Sequence, residues 1–249
     1  MTVAEYYIFG IKITDISRDE WRNYLYDRLH HGKYARIIIL TEKKLFQALF
    51  NRELKETINQ ADIVLCASSL ISWLSYHMYT RILKPSLAVT YILDALSIAS
   101  ECQSTVSFFG SSKKTLFVTV KKITKSFSGV KIVSYYPEHI PLKEQGKVFV
   151  ALRKSAAKLA LFNLRNEKQE ELWINKNYEI FKQGVTIGAD DSFEIIAGFK
   201  SVPSLEMQEK GYLGLYEFMK NPFNIAKFFR CIVLFYFFLY FKIFKKKRT

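Results

Sequence analysis

The chain has 249 residues, of which 49% are hydrophobic and 16% aromatic, and it carries 37 Lys and Arg against 23 Asp and Glu, a net charge of +14. That length suits one α/β domain with an appendage, and such an apolar, aromatic composition excludes a disordered chain. The charge fits nucleic acid, an anionic membrane surface or phosphorylated ligands. Its distribution chooses between them: no acidic residue follows Glu217, while Lys220, Lys227, Arg230, Lys242, Lys245, Lys246, Lys247 and Arg248 supply more than half of the excess.

Tyr6 to Ile13 alternates enough to be read as a strand at a sheet edge. Ser17 is a candidate N-cap for a helix to about Leu29, with Glu20 completing a capping box. Ala35 to Leu40 is a buried strand, and Thr41 caps a helix expected to run to about Thr57. Ile63 to Cys66 is a third strand, followed by helices from about Ser69 and over Val89 to Glu101. Thr105 to Phe109 is a strand stopped by Gly110, then come a helix over Lys113 to Phe127 and a strand over Val130 to Val133. Leu142 to Lys154 and Glu167 to Asn177 are helices around the strand Leu159 to Phe162, and Gly184 to Ile187 is the last strand. Short buried strands alternating with helices predict an α/β fold: a mainly parallel, Rossmann-like sheet with helices on both faces. Right-handed crossovers then bring the strand C-termini to one edge. From about Ser201 the pattern turns helical, aromatic and basic, so residues 1–200 are read as the α/β domain and 201–249 as a C-terminal helical appendage.

Within the appendage, Phe228 to Phe244 is apolar all round, with eleven uncharged residues between Arg230 and Lys242. A span needs about 20 apolar residues, so the run reads as a monotopic membrane anchor with its basic end on anionic headgroups. The competing reading is a buried core helix. The uninterrupted apolar block speaks against nucleic acid.

Cys66, Cys102 and Cys231 are odd in number and widely spaced, with neither zinc spacing nor a CxxC, and suit a reducing compartment. No charged-then-apolar leader opens the chain, so the cytoplasmic side is expected. His30, His31, His77 and His139 have no ligand spacing, and GxSxG and HExxH are absent, so nothing supports a metalloprotease or a serine hydrolase.

Chemistry concentrates at the expected strand ends. Gly110 and Ser111 open a helix whose free N–H groups suit a phosphate, although GxxxxGK(S/T) is missing. Asn166, Gln169 and Glu170 open the helix after a buried strand, and Gln169 can both donate and accept. Glu167, Glu170 and Glu171 also simply complement the helix dipole. Asp190 and Asp191 follow Gly188 at a strand end; adjacent carboxylates diverge, so one of them faces a site as a candidate base.

NEKQEELWI, from Asn166 to Ile174, resembles the N/S-P-K-Q-E-x-W-I helix start of the WecG/TagA/CpsF family of bacterial glycosyltransferases. IGADDSFEIIAG resembles that family's G-V-G-x-x-F-D-x-x-A-G, with Gly188, Phe193, Glu194, Ala197 and Gly198 in register. VSFFGSS resembles its L-L-G-G turn, and Pro203, Gly211, Tyr216, Pro222 and Arg230 fall where its appendage motif would. The resemblance implies an inverting enzyme, with no metal or other cofactor, that moves an N-acetylhexosamine-type sugar from a UDP-sugar to a polyprenyl-diphosphate-linked acceptor for cell-surface polysaccharide. It implies nucleotide-sugar binding at Thr41, Gly110, Ser111, Asn166, Gln169, Glu170 and Gly188. It also implies lipid or diphosphate contact at Arg230, on the cytoplasmic face of the bacterial inner membrane, to which the charge pattern of the tail adds Lys242, Lys245, Lys246, Lys247 and Arg248.

The departures fall on polar positions. The family's Asp-Gly after the third strand, with its proposed base, is here Ala67-Ser68; its Thr-x-Asn is Thr41-Glu42-Lys43; its appendage arginines fall on Ser201, Glu217 and Asn224. Two readings follow: an active transferase in which Asp190 or Asp191 serves as base, or a degenerate member acting as a membrane-attached scaffold within a homo- or hetero-oligomer.

Overall fold

A computed structural model describes residues 3–181, 184–203 and 225–245. Gly211, Tyr216, Glu217, Pro222, Asn224, Lys246, Lys247 and Arg248 lie outside the described residues, as does the side chain of Lys245. The expected boundary near Lys200 falls just short of the first undescribed stretch of the appendage.

The N-terminal segment departs from the sequence expectation. It forms two strands, β1 (Ala4–Ile8) and β2 (Ile11–Asp15), paired antiparallel in a sheet of their own. Phe9 and Gly10 both take positive φ, 54° and 76°, the two-residue reversal that matches hairpin twist. The alternation of Tyr6 to Ile13 therefore runs across a turn. The hairpin lies against the main sheet, where Val64 N–H donates to Thr14 Oγ1 at 3.0 Å.

Helix α1 (Arg18–His31) starts at the expected capping box, with Ser17 and Glu20 satisfying each other's backbone N–H groups. After β3 (Ala35–Leu40) the single helix expected from Thr41 is two, α2 (Glu42–Leu49) and α3 (Arg52–Asn59). Asn51 divides them: its side chain accepts from Leu54 N–H at 2.7 Å, a new N-cap that competes with helix continuation. The remaining elements follow the expected order: β4 (Ile63–Cys66), α4 (Ser69–Tyr79), α5 (Ala88–Glu101), β5 (Thr105–Gly110), α6 (Lys113–Ser126), β6 (Lys131–Tyr136), α7 (Leu142–Ser155), β7 (Leu159–Asn163), α8 (Glu167–Lys176), β8 (Val185–Gly188), α9 (Ser192–Ala197) and α10 (Ile225–Lys245).

The main sheet has the order β4-β3-β8-β7-β5-β6, and every neighbouring pair is parallel. Every residue of β3, β4, β7 and β8 is buried, as strands covered on both faces require. Edge strand β6 alternates between exposed and half-buried positions. On one face, Trp21, Leu25 and Leu29 of α1, Ile92 and Leu96 of α5, Leu116 of α6 and Phe193 of α9 form one core. On the other, the hairpin, α2, α3, α4 and α10 pack around Ile38, Leu40 and Val64, and a smaller cluster of Leu152, Phe162 and Ile174 lies under α7 and α8. Thus the chain leaves β5 toward one face, through α6, and leaves its neighbour β7 toward the other, through α8. Such divergence opens a crevice at the strand C-termini, where open α/β sheets bind ligands.

Helix α10 docks along one side only. Its own Leu234 and Phe238 are buried, with Phe241 against Phe9 at 5.3 Å and Phe238 against Trp73 at 5.1 Å between ring centroids. Burial of each such side chain stabilises the docking by about 1.5–3 kcal/mol. The opposite side exposes Phe228, Ile232, Tyr236 and Tyr240. The helix is therefore neither wholly buried nor free. Among the described residues, no helix is long and apolar enough to cross a membrane.

Candidate functional site

At the edge formed by the strand C-termini, two clusters stand side by side. The first lies in the β5/β7 crevice. Ser111 N–H donates to Asn163 O at 2.6 Å, tying the end of β5 to the end of β7. Gly110 has φ of 114°, and a Cβ there would stand 2.2 Å from Asn163 O, so only glycine fits. Ser111 itself has φ of 58°. Its Oγ donates to Glu194 Oε1 at 2.7 Å, and Asn163 Nδ2 donates to Glu194 Oε2 at 2.8 Å. One carboxylate on α9 thus fixes two strand ends. Gly110→Ala is expected to destabilise the fold by about 1–3 kcal/mol, seen as a lower midpoint in urea unfolding.

The second cluster lies between α2, α8 and the end of β8. Lys44 is 0% exposed, and its Nζ stands 2.6 Å from Glu171 Oε1 and 3.0 Å from Asp190 Oδ1. Glu170 is equally buried; its Oε2 accepts from Leu164 N–H at 2.6 Å. Burial, first of all, pushes the Glu170 carboxyl well above the ordinary range; the charges of Asp190 and Glu171 add to that, while Lys44 and the Leu164 N–H oppose it. The carboxyls press against Gly188, where a Cβ would stand 2.4 Å from Glu170 Oε1 and 2.8 Å from Glu171 Oε1. Asp190 turns inward through a left-handed φ of 49°.

The candidate residues therefore divide. Asp190 points into the buried cluster, whereas Asp191 lies half-exposed and ion-pairs with Lys200. Glu170 and Gly188 belong to the same cluster as Asp190. Thr41 adjoins it as the cap of α2, its Oγ1 accepting from Lys44 N–H at 3.1 Å. Gly110 and Ser111 belong to the neighbouring crevice. Asn166 caps α8 by accepting from Lys168 N–H, and Gln169 is exposed. Arg230 reaches Glu42, in the first turn of α2, at 3.3 Å, while Lys242 is exposed farther along α10 with its ammonium over the Phe238 ring.

Ala67 follows β4, and its N–H donates to Leu40 O. Two strand positions separate β4 from β8, about 10 Å at the usual spacing. Cys66 beside it is no nucleophile, because burial pushes its thiol up to about 12. Beyond Ser111 a cleft of about 630 Å³ opens between α6 and β6, lined by Lys113, Lys114, Leu116, Phe117, Tyr135 and Pro137. Among the described residues, no group of three or more His, Cys, Asp or Glu is arranged to hold a metal.

Lys44 did not emerge from sequence as a site residue, Glu194 was matched to a family motif without a role, and Glu171 read as a dipole partner. Lys44 did carry a signal: it shares the buried stripe of α2 with Leu45 and Ala48, where a lysine needs a partner.

Residues 6–249 match the glycosyl transferase WecG/TagA/CpsF family. A relative from Bacillus spizizenii, N-acetylglucosaminyldiphosphoundecaprenol N-acetyl-beta-D-mannosaminyltransferase, is 23% identical over 177 residues, covering 71% of this chain and 68% of its own.

Proposed function

Because this chain belongs to the WecG/TagA/CpsF family of glycosyltransferases, we propose that it transfers an N-acetylhexosamine-type sugar from UDP to a polyprenyl-diphosphate-linked acceptor, with inversion and without a metal. The observation that carries this is Asp190, a carboxylate buried at the C-terminal end of β8 beside the β5/β7 crevice. The acceptor hydroxyl oxygen bonds to the anomeric carbon as the bond from that carbon to the diphosphate oxygen breaks. UDP leaves with that electron pair, and the hydroxyl proton passes to Asp190. Ala67 has no group that accepts a proton, so Asp190 takes the role that an aspartate after β4 would otherwise fill. The α6 N-terminus, with Lys113 and Lys114, favours a departing diphosphate, and the adjoining cleft is of a size that holds a nucleotide.

The purified protein, given a panel of UDP-N-acetylhexosamines and N-acetylglucosaminyl-diphosphoundecaprenol, is expected to release UDP and form a disaccharide lipid. No release with any donor would sink the reading. A binding-only scaffold is the less favoured alternative, since the named relative is itself a transferase.

The acceptor is a lipid, and the exposed side of α10 suits peripheral attachment to the cytoplasmic leaflet. Deleting the helix would uncover Phe9, which is buried against Phe237 and Phe241, so surface substitutions test this better. Changing Phe228, Ile232 and Tyr236 together to Ser is expected to weaken sedimentation with anionic vesicles at least tenfold, at unchanged thermal stability. Equal sedimentation would remove α10 from the membrane contact.

A further inference from the structure

Four ionisable side chains are packed together at the end of β8 with almost no access to water: Lys44, Glu170, Glu171 and Asp190. As a source of stability this is a poor arrangement. The desolvation cost of buried charges commonly cancels their attraction, and well-packed apolar side chains of similar volume do as well or better. Its geometry is more telling. A single ammonium, supplied by α2, bridges Glu171 on α8 and Asp190 on the turn after β8. Asp190 is also the member held in left-handed backbone, which a side chain other than glycine occupies at a cost. The ion pair therefore ties the left-handed residue of this cluster to two helices.

We infer that Lys44 is a positioning residue for sugar transfer: its ammonium, anchored on Glu171, holds the Asp190 carboxylate ionised and fixed in direction where the acceptor hydroxyl arrives. This rests on the reading of Asp190 as the base. Glu170 faces the same space from α8, with its carboxyl on Leu164 N–H and against Gly188. Burial, first of all, and the charges of Asp190 and Glu171 push that carboxyl well above the ordinary range, which favours its neutral form. Lys44 touches neither donor nor acceptor; it acts through Asp190. A nearby cation lowers a carboxyl pKa by about 1–3 units, so its removal has a sign that mere loosening of the fold lacks.

The test is transfer by the full chain, using N-acetylglucosaminyl-diphosphoundecaprenol and whichever UDP-N-acetylhexosamine supports turnover, in Lys44→Met, Lys44→Arg and Lys44→Met/Glu171→Gln. The double variant removes both charges of one pair, so it keeps the fold if the single Met variant does not. In the folded Met variant, kcat is expected to fall at least 100-fold while KM for the donor stays within threefold. The acid limb of the pH–kcat profile should move up by about one pH unit or more. Lys44→Arg should keep the limb and recover most of kcat. An unmoved acid limb in a folded Met variant overturns the role of Lys44, whatever happens to kcat. Wild-type turnover in Asp190→Asn would instead overturn the base assignment, and no transfer by the wild type would overturn the function itself; either takes the Lys44 role with it.

Discussion

Asp190→Asn is expected to lower turnover by about 10²–10⁴-fold, the usual contribution of a general base, with binding of UDP unchanged within a few-fold. The substitution is nearly isosteric. It leaves Lys44 paired with Glu171 at 2.6 Å, so the loss is one of basicity more than of packing. Asp191→Asn is the internal control. That carboxylate lies at the surface on Lys200, and exposed pairs of this kind contribute about 0–1 kcal/mol. Its turnover should match the wild type. Initial rates of UDP release, with UDP affinity from calorimetry, check both. The opposite pattern, with Asp191→Asn inactive and Asp190→Asn active, would move the base to the exposed neighbour.

Most of the sheet was legible because its strands carry their signal locally. Ile37 to Leu40 and Leu159 to Phe162 are short, continuous apolar runs of the kind that a strand covered on both faces needs. Strand order was not legible, since β8 pairs between β3 and β7 through contacts more than a hundred residues apart from β3. The misread elements share one cause: a single local backbone preference outweighed a longer periodicity. Phe9-Gly10 broke an alternating run into a hairpin, and Asn51 broke a helical run into α2 and α3. The tail was legible as an apolar helix but not in its pose. An all-apolar sequence does not say which side meets protein, and Phe9, Trp73 and Phe50, which receive α10, come from three separate elements.

The geometry of the candidate site was half legible. Small residues and carboxylates at strand ends marked Gly110, Ser111, Gly188 and Asp190, because a parallel sheet gathers its C-termini at one edge. The partners that give those residues their state were hidden by tertiary distance. Lys44 meets Glu171 across 127 positions, and Ser111 meets Glu194 across 83. Neither spacing forms a motif. Ala67, where the resemblance implies an aspartate, follows β4 beside a buried thiol, while a carboxylate with a buried cation beside it stands two strands away.

Glu170→Gln is expected to make the protein increasingly more stable than the wild type as pH rises from about 5. The Glu170 carboxyl is wholly buried, and its folded pKa lies well above the unfolded value of about 4.3. The native chain therefore keeps a proton that the unfolded chain gives up. Stability from this group is full below the unfolded pKa and is lost as pH climbs toward the folded one, at about 1.4 kcal/mol per pH unit. Glutamine removes that slope and keeps the contact, since its amide oxygen accepts the Leu164 N–H as the carboxyl does. Lys44, Glu171 and Asp190 are the same residues in both proteins, so the difference between the two stability curves reports on the carboxyl that the substitution removes. Urea unfolding at pH 5, 6, 7 and 8 measures it. A difference that stays flat across that range means that Glu170 is already ionised in the fold, and three charged carboxylates would then share one ammonium.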